Sequence, residues 1–236
     1  MKIAVISDLH LGRGDRFDEF GHDDAEFLRF LDFLERNHER VVLAGDIWET
    51  LQGATPRRQA RELAKARRAH AEIAQRFERP AYRYLHGNHD LVAGNVIEAP
   101  DVLHIEADGT RLLFTHGHQF DFVVKHARWF SELVAWLGGW ALRLGLRPLY
   151  RTVEWIEGRI RGESRASPDK DRFQLASMAL AARHEADVIV TGHTHNGMVT
   201  EHGERLFMNS GSCAGGRCSF LSLDTARGDY ALSTSW

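Results

Sequence analysis

With 236 residues, a formal net charge of −3 and 43% apolar composition, the chain can bury the core of one sizeable domain, residues 1–236. The near-neutral balance excludes a global electrostatic drive toward nucleic acid or an anionic membrane. Cys213 and Cys218 are the only two thiols, too few for a disulfide framework or a thiolate zinc cluster, which fits a reducing cytoplasm.

Lys2 to Ile6, with two isoleucines and a valine, has the pattern of a strand covered on both faces. No basic-then-apolar leader precedes it, and no apolar run nears the roughly 18 residues of a membrane span, so the expectation is a protein neither secreted nor membrane-spanning. The strand ends at Ser7-Asp8-Leu9-His10, where side-chain alternation would turn Asp8 and His10 toward one ion. Alone, that triplet reads as a surface loop; its companions decide. Phe27, Phe30, Leu31 and Leu34, behind Asp23 and Asp24, mark an amphipathic helix. Arg40 to Ala44 is a second strand, closed by Gly45-Asp46-Ile47-Trp48-Glu49, whose glycine permits a sharp turn and leaves Asp46 facing the same cleft as Asp8. Between Arg57 and Arg79 the sequence predicts one strongly basic helix, either a grip for an anionic partner or a solvated face.

The run to Leu85 is a third strand, delivering Gly87-Asn88-His89-Asp90. An amide, an imidazole and a carboxylate in consecutive residues are costly to fold unless chemistry occupies them. Val102–Glu106 and Arg111–Thr115 read as a hairpin turned by Asp108-Gly109, and its second strand leads into His116-Gly117-His118. Gln119 to Gly162 holds Trp129, Trp136, Trp140 and Trp155 among leucines, with glycines and Pro148 breaking it into short helices. This insertion, about 119–162, is either a lid for an acyl chain or a packing surface against the core or a second copy. Ser167-Pro168 is expected to start a helix through Phe173, Leu175, Met178 and Leu180. Asp187–Val190 is a buried-type strand ending at Thr191-Gly192-His193-Thr194-His195. Arg205–Asn209 and Cys218–Leu223 read as closing strands before a last strand and tail.

Asp8, His10, Asp46, Asn88, His116, His193 and His195 offer hard or borderline oxygen and nitrogen donors, suited to manganese, iron or zinc. They are too many for one tetrahedral ion. With one bridging carboxylate they suit two ions roughly 3.5–4 Å apart, an arrangement that clamps both oxygens of a phosphoryl displacement. His118 is either a neighbour of the first ion or substrate, or a support behind the ligands.

In this order, the motifs Asp8-x-His10, Gly45-Asp46, Gly87-Asn88-His89-Asp90, His116-Gly117-His118 and Gly192-His193-Thr194-His195 resemble the calcineurin-like metallophosphoesterase superfamily over nearly the whole chain. The expected fold is a four-layer α/β/β/α sandwich of two mixed sheets with a helical cap. The resemblance implies a first ion on Asp8, His10 and His195, a second on Asn88, His116 and His193, and Asp46 as the bridge. It also implies that His89 faces the substrate phosphate with Asp90 orienting its ring, while a water between the ions attacks phosphorus in line. Manganese is the expected metal, with iron and zinc as alternatives. Ser7 to Gly12, Gly45 to Glu49 and the insertion are most similar to the UDP-2,3-diacylglucosamine hydrolase branch, which cleaves the pyrophosphate of a lipid A precursor. That branch carries Arg at the place of His89 and Gly-Asp at the place of Gly117-His118. The expected function is hydrolysis of a phosphodiester or pyrophosphate, possible on a lipid-linked nucleotide. The alternatives are a soluble phosphodiesterase or nuclease, a phosphomonoesterase, and a non-catalytic scaffold. No stable nucleic-acid partner is expected, and the expected location is the cytoplasm or its face of the membrane.

Overall fold

β1 (Lys2–Ile6) is buried on both faces from Ile3 onward because alternate side chains serve two different cores. Ile3 and Val5 point into the space between two sheets, while Ala4 and Ile6 point toward the helices outside. The computed structural model describes residues 1–15, 18–52, 58–121, 128–144, 146 and 171–236.

β1 pairs in parallel with β2 (Arg40–Ala44), and β2 with β3 (Tyr82–Leu85). Beyond β1 run β9 (Phe220–Asp224) and β10 (Asp229–Ser233), both antiparallel to their neighbours, so the sheet order is β10-β9-β1-β2-β3. The second sheet comprises β4 (Val102–Ala107), β5 (Thr110–Thr115), β6 (Val188–Thr191), β7 (Met198–His202) and β8 (Arg205–Asn209), in the order β4-β5-β6-β8-β7. Its hairpin β4–β5 turns on Asp108 and Gly109, both with positive φ, the backbone that an Asp-Gly turn supplies.

α1 (Asp24–Asn37) is capped by Asp23, which accepts from the Glu26 N–H, and buries Phe27, Phe30, Leu31 and Leu34 on the first sheet. Each of those burials contributes roughly 1.5–3 kcal/mol. The helix expected across Arg57–Arg79 is instead two, α2 (Gln59–Ala69) and α3 (Ala71–Phe77), broken at His70. The His70 ring is pinned between Asp24 Oδ1 at 2.8 Å and Asp18 Oδ2 at 3.2 Å, a tertiary demand that overrides local helix propensity. After β3 comes the short α4 (Ala93–Val96).

Of the cap expected at 119–162, the structure describes 119–121, α5 (Arg128–Arg143), 144 and 146; 122–127, 145 and 147–162 lie outside the described residues. α6 (Arg172–Arg183) covers the outer face of the second sheet through Phe173 and Ala181. Its N-cap is Asp171, which accepts from the Phe173 and Gln174 N–H groups. Ser167 to Lys170, where the sequence places the start, lie outside the described residues. The result is the four-layer α/β/β/α sandwich, and among the described residues no helix is long and apolar enough to cross a membrane.

Candidate metal centre

Five strands end at one edge of the sandwich, and each hands its next residues to the same place: Asp8 and His10 after β1, Asp46 after β2, Asn88 and His89 after β3, His116 after β5, and His193 and His195 after β6. Asp8 and His10 do not converge by strand alternation, as the sequence would have it. Both lie in the left-handed region, with φ of 53° and 51°, in a loop held by the bonds Asp8 N–H to Gly45 O and His10 N–H to Asp46 O. Of the eight non-glycine residues with positive φ among the described residues, five are predicted ligands: Asp8, His10, Asp46, His193 and His195. Such a conformation costs on the order of 1–3 kcal/mol at each position, so its concentration here marks a site and not a packing accident.

The predicted Asp and His ligands fall into two donor clusters, and His10 also stands in a third with Glu49 and His89. Asp8, His10 and His195 form one, with ligand atoms all within 4.8 Å of one another; Asp46, His116 and His193 form the other. In the first, His195 Nε2 lies 3.1 Å from Asp8 Oδ1 and 3.4 Å from His10 Nε2. In the second, His116 Nε2 lies 3.1 Å from Asp46 Oδ2. The buried Asn88 Oδ1 has no hydrogen-bond partner, and Asp8 Oδ1 and His116 Nε2 have none beyond those two ion-pair contacts. A buried polar atom left as Asn88 Oδ1 is costs about 1–3 kcal/mol, and these three atoms match a ligand set of oxygens and imidazole nitrogens about 2.0–2.2 Å from an ion. The residues fit a divalent metal.

The surroundings orient these ligands. His116 Nδ1 donates to Ala44 O at 2.9 Å, which turns Nε2 inward. Ser7 Oγ donates to Asp8 Oδ2, and the His193 N–H donates to the same oxygen at 3.2 Å. Asp46 is the carboxylate on which both clusters act. Burial opposes its charge, but His116, His89 and His10 hold it well below the usual carboxylate range.

Two glycines make the approach possible. A Cβ on Gly87 would lie 2.2 Å from Asp46 Oδ1, and one on Gly45, whose φ is 92°, would lie 2.5 Å from His116 Nδ1. Gly87→Ala is therefore expected to displace Asp46, lower metal occupancy and cost about 1–3 kcal/mol of stability, as overpacking does. Thermal denaturation and elemental analysis check this together; unchanged metal content would show that Asp46 is not held by that contact.

In the metal-free protein, burial opposes the charge on His116, but Asp46 and then Asp8 outweigh it and push its pKa up to about 9. A metal must displace that proton below about pH 9, so affinity is expected to rise from about pH 6.5 toward 9, by up to about tenfold per unit. Calorimetric titration with manganese at about pH 6.5, 7.5 and 8.5 measures this. A flat profile would remove His116 from the ligand set.

His89 differs from expectation in its partner. Its Nδ1 lies 2.6 Å from Glu49 Oε2, and the same oxygen is 3.3 Å from His10 Nδ1, so Glu49, not Asp90, orients the ring. Asp90 accepts from the backbone N–H groups of Ile47, Trp48 and Gly87 and from the Tyr84 hydroxyl, which makes it the clasp of the Gly87–Asp90 turn. Glu49 stands in the Gly45–Glu49 motif, three residues past Asp46, but nothing in that spacing singles it out. Its Oε1 is taken by the Leu51 and Gln52 N–H groups. Asp121, 3.3 Å from His193 Nε2, is likewise invisible in the sequence, because its partner is 72 residues away. His118 joins neither cluster; it stands with His86 and Asp101.

A model of the family described as calcineurin-like phosphoesterase matches residues 1–197. The UDP-2,3-diacylglucosamine hydrolase of Shigella dysenteriae serotype 1 (strain Sd197) is 26% identical over 218 residues, covering 85% of this chain and 85% of its own. That of Ralstonia nicotianae is 28% identical over 218 residues, covering 82% and 76%. Among solved structures, Vps29 of Chaetomium thermophilum aligns with a TM-score of 0.50 at 15% identity, covering 100% of this chain and 94% of that one, a likeness of fold alone.

Proposed function

The chain belongs to the calcineurin-like phosphoesterase family, hydrolases of phosphoester bonds that use divalent metals, and from that premise we propose that it cleaves the pyrophosphate of a lipid-linked nucleotide at a dinuclear centre. The observation that carries the substrate class is the apolar stripe of α5. Leu133, Leu137 and Trp140, spaced along one helical face, are 40%, 48% and 36% exposed, and Leu144, just past the helix end, is 67% exposed. The same helix rests on the site: a Cβ on its Gly139 would lie 2.9 Å from Gln52 Cβ, and Gln52 bonds Glu49. An uncovered apolar face beside phosphate chemistry suits an amphiphile, and the two relatives named above carry the same class of substrate in their names.

Asp8, His10 and His195 would hold one ion and Asn88, His116 and His193 the other, with Asp46 shared between them. Manganese is the metal proposed, and iron or zinc would also suit these donors. When bound, the ions would offset phosphate charge and acidify a water. The rest falls to the chain. Glu49 holds His89 by Nδ1, so a proton passes to the leaving oxygen through Nε2. Gly87 and Gly45 keep the ligand shell tight. The location proposed is the cytoplasm, with the stripe of α5 meeting the membrane face where the substrate's acyl chains lie.

A nuclease reading has less support. Arg76 pairs with Asp32 and Glu35, Arg79 with Glu35, Arg67 with Glu78 and Lys65 with Glu62, so much of the basic surface of α2 and α3 is already engaged by acids. The test is to offer the manganese-loaded protein a nitrophenyl monoester, a nitrophenyl diester, a UDP-sugar and a diacylated UDP-sugar. Fastest turnover is expected on the acylated nucleotide. Equal rates with and without acyl chains would remove the lipid from the proposal, and turnover of the monoester alone would replace pyrophosphate cleavage.

A further inference from the structure

We propose that His86, Asp101 and His118 form a separate mononuclear zinc site on the flank of the dinuclear centre. His86 follows β3, Asp101 precedes β4, and His118 opens the 3-10 turn after the His116-Gly117 link, so three segments distant in sequence bring these groups together. One ligand atom from each lies within 4.8 Å of the other two. His86 Nε2 is 3.1 Å from Asp101 Oδ1, and the His86 and His118 ring centroids are 6.0 Å apart.

These groups are poorly satisfied as they stand. Nδ1 of His86 and Nδ1 of His118 are both buried without a hydrogen-bond partner, each at a cost of about 1–3 kcal/mol. Nε2 of His86 is the nitrogen turned to Asp101, so a cation between them leaves His86 Nδ1 as it is, and the cost it can remove is that of His118 Nδ1. His86 is also held in place: a Cβ on Gly94 would lie 3.1 Å from its ring Cδ2, and its backbone N–H donates to Pro100 O, one residue before Asp101.

Two imidazoles and a carboxylate are the donor set of zinc sites with one open position. Zinc–ligand distances of about 2.1 Å put tetrahedral neighbours about 3.4 Å apart. His86 and Asp101 already meet that spacing, so the closure still needed, at most about 1.4 Å (4.8 less 3.4), lies between His118 and that pair; Asp101, whose side chain is 67% exposed, has room to turn with it. The exposed side of Asp101 leaves the fourth position open to water or a phosphate oxygen. His86 is two residues before Asn88 and His118 two after His116, so the site abuts the second cluster while sharing no ligand with it.

The experiment reads metal content, not activity. Wild-type protein and Asp101→Ala are stripped with chelator, loaded with zinc, desalted and analysed for zinc per chain. Asp101 is on the surface, so its loss leaves the core intact. Asp101→Ala is expected to retain one equivalent fewer than wild type and to bind that equivalent more than about tenfold more weakly, since even removal of a partner behind a ligand costs 10–100-fold. His118→Ala should lose the same single equivalent. The reading is a difference, so it stands whether or not the main centre holds two ions. Equal zinc in wild type and Asp101→Ala, or loss of every equivalent together, overturns the proposal.

Discussion

Asp46→Asn is expected to empty both halves of the metal centre together and to lower turnover by about a thousandfold or more. Asp46 Oδ2 faces His116 Nε2, while Oδ1 accepts from the His89 N–H and would meet any Cβ on Gly87. Its charge is held by His116, His89 and His10, groups drawn from both sides of the centre. An amide of the same shape keeps the packing but removes that charge and one acceptor oxygen. Metal ions supply several kcal/mol of transition-state stabilisation, and each 1.4 kcal/mol is a factor of ten in rate. Metal analysis beside steady-state kinetics measures this. Retention of one full-affinity ion would show that Asp46 serves a single subsite.

His89→Ala is expected to lower turnover by about a hundredfold with both ions retained, the size of effect of a positioned general acid. Its Nδ1 is committed to Glu49, and its ring stands edge-on to His10 with centroids 4.6 Å apart, so its removal leaves the ligand rings in place. Glu49→Gln tests the same assembly from behind. Burial opposes the charge on Glu49, but His89 and His10 hold it well below the usual carboxylate range, and its loss should cost about 10–100-fold in metal affinity or turnover. The two changes should not add: with His89 absent, Glu49→Gln should act only through His10. Loss of metal from His89→Ala would overturn the assignment and place His89 in the ligand shell.

The sequence by itself determined which oxygen- and nitrogen-bearing side chains stand at the strand ends, the order in which the strands deliver them and the faces that bury the core. Asp8, His10, Asp46, Asn88, His116, His193 and His195 are legible because strand ends are marked by short apolar runs, and an amide, imidazoles and carboxylates crowded at such ends have few structural uses. The Asp108-Gly109 hairpin is legible because its turn needs residues that accept positive φ. The edge strand β7 is not, since Glu201 and His202 blunt its pattern. Tertiary structure alone decided which side chains meet. Glu49 replaced Asp90 beside His89, Asp121 came to His193, His118 came to His86 and Asp101, and His70 broke a helix to reach Asp18 and Asp24. At the metal centre the physical reason is the left-handed backbone at Asp8, His10, Asp46, His193 and His195; the other pairings join segments far apart in the chain. Alternation along a strand says where a side chain points only while the chain stays extended, and at the site it does not.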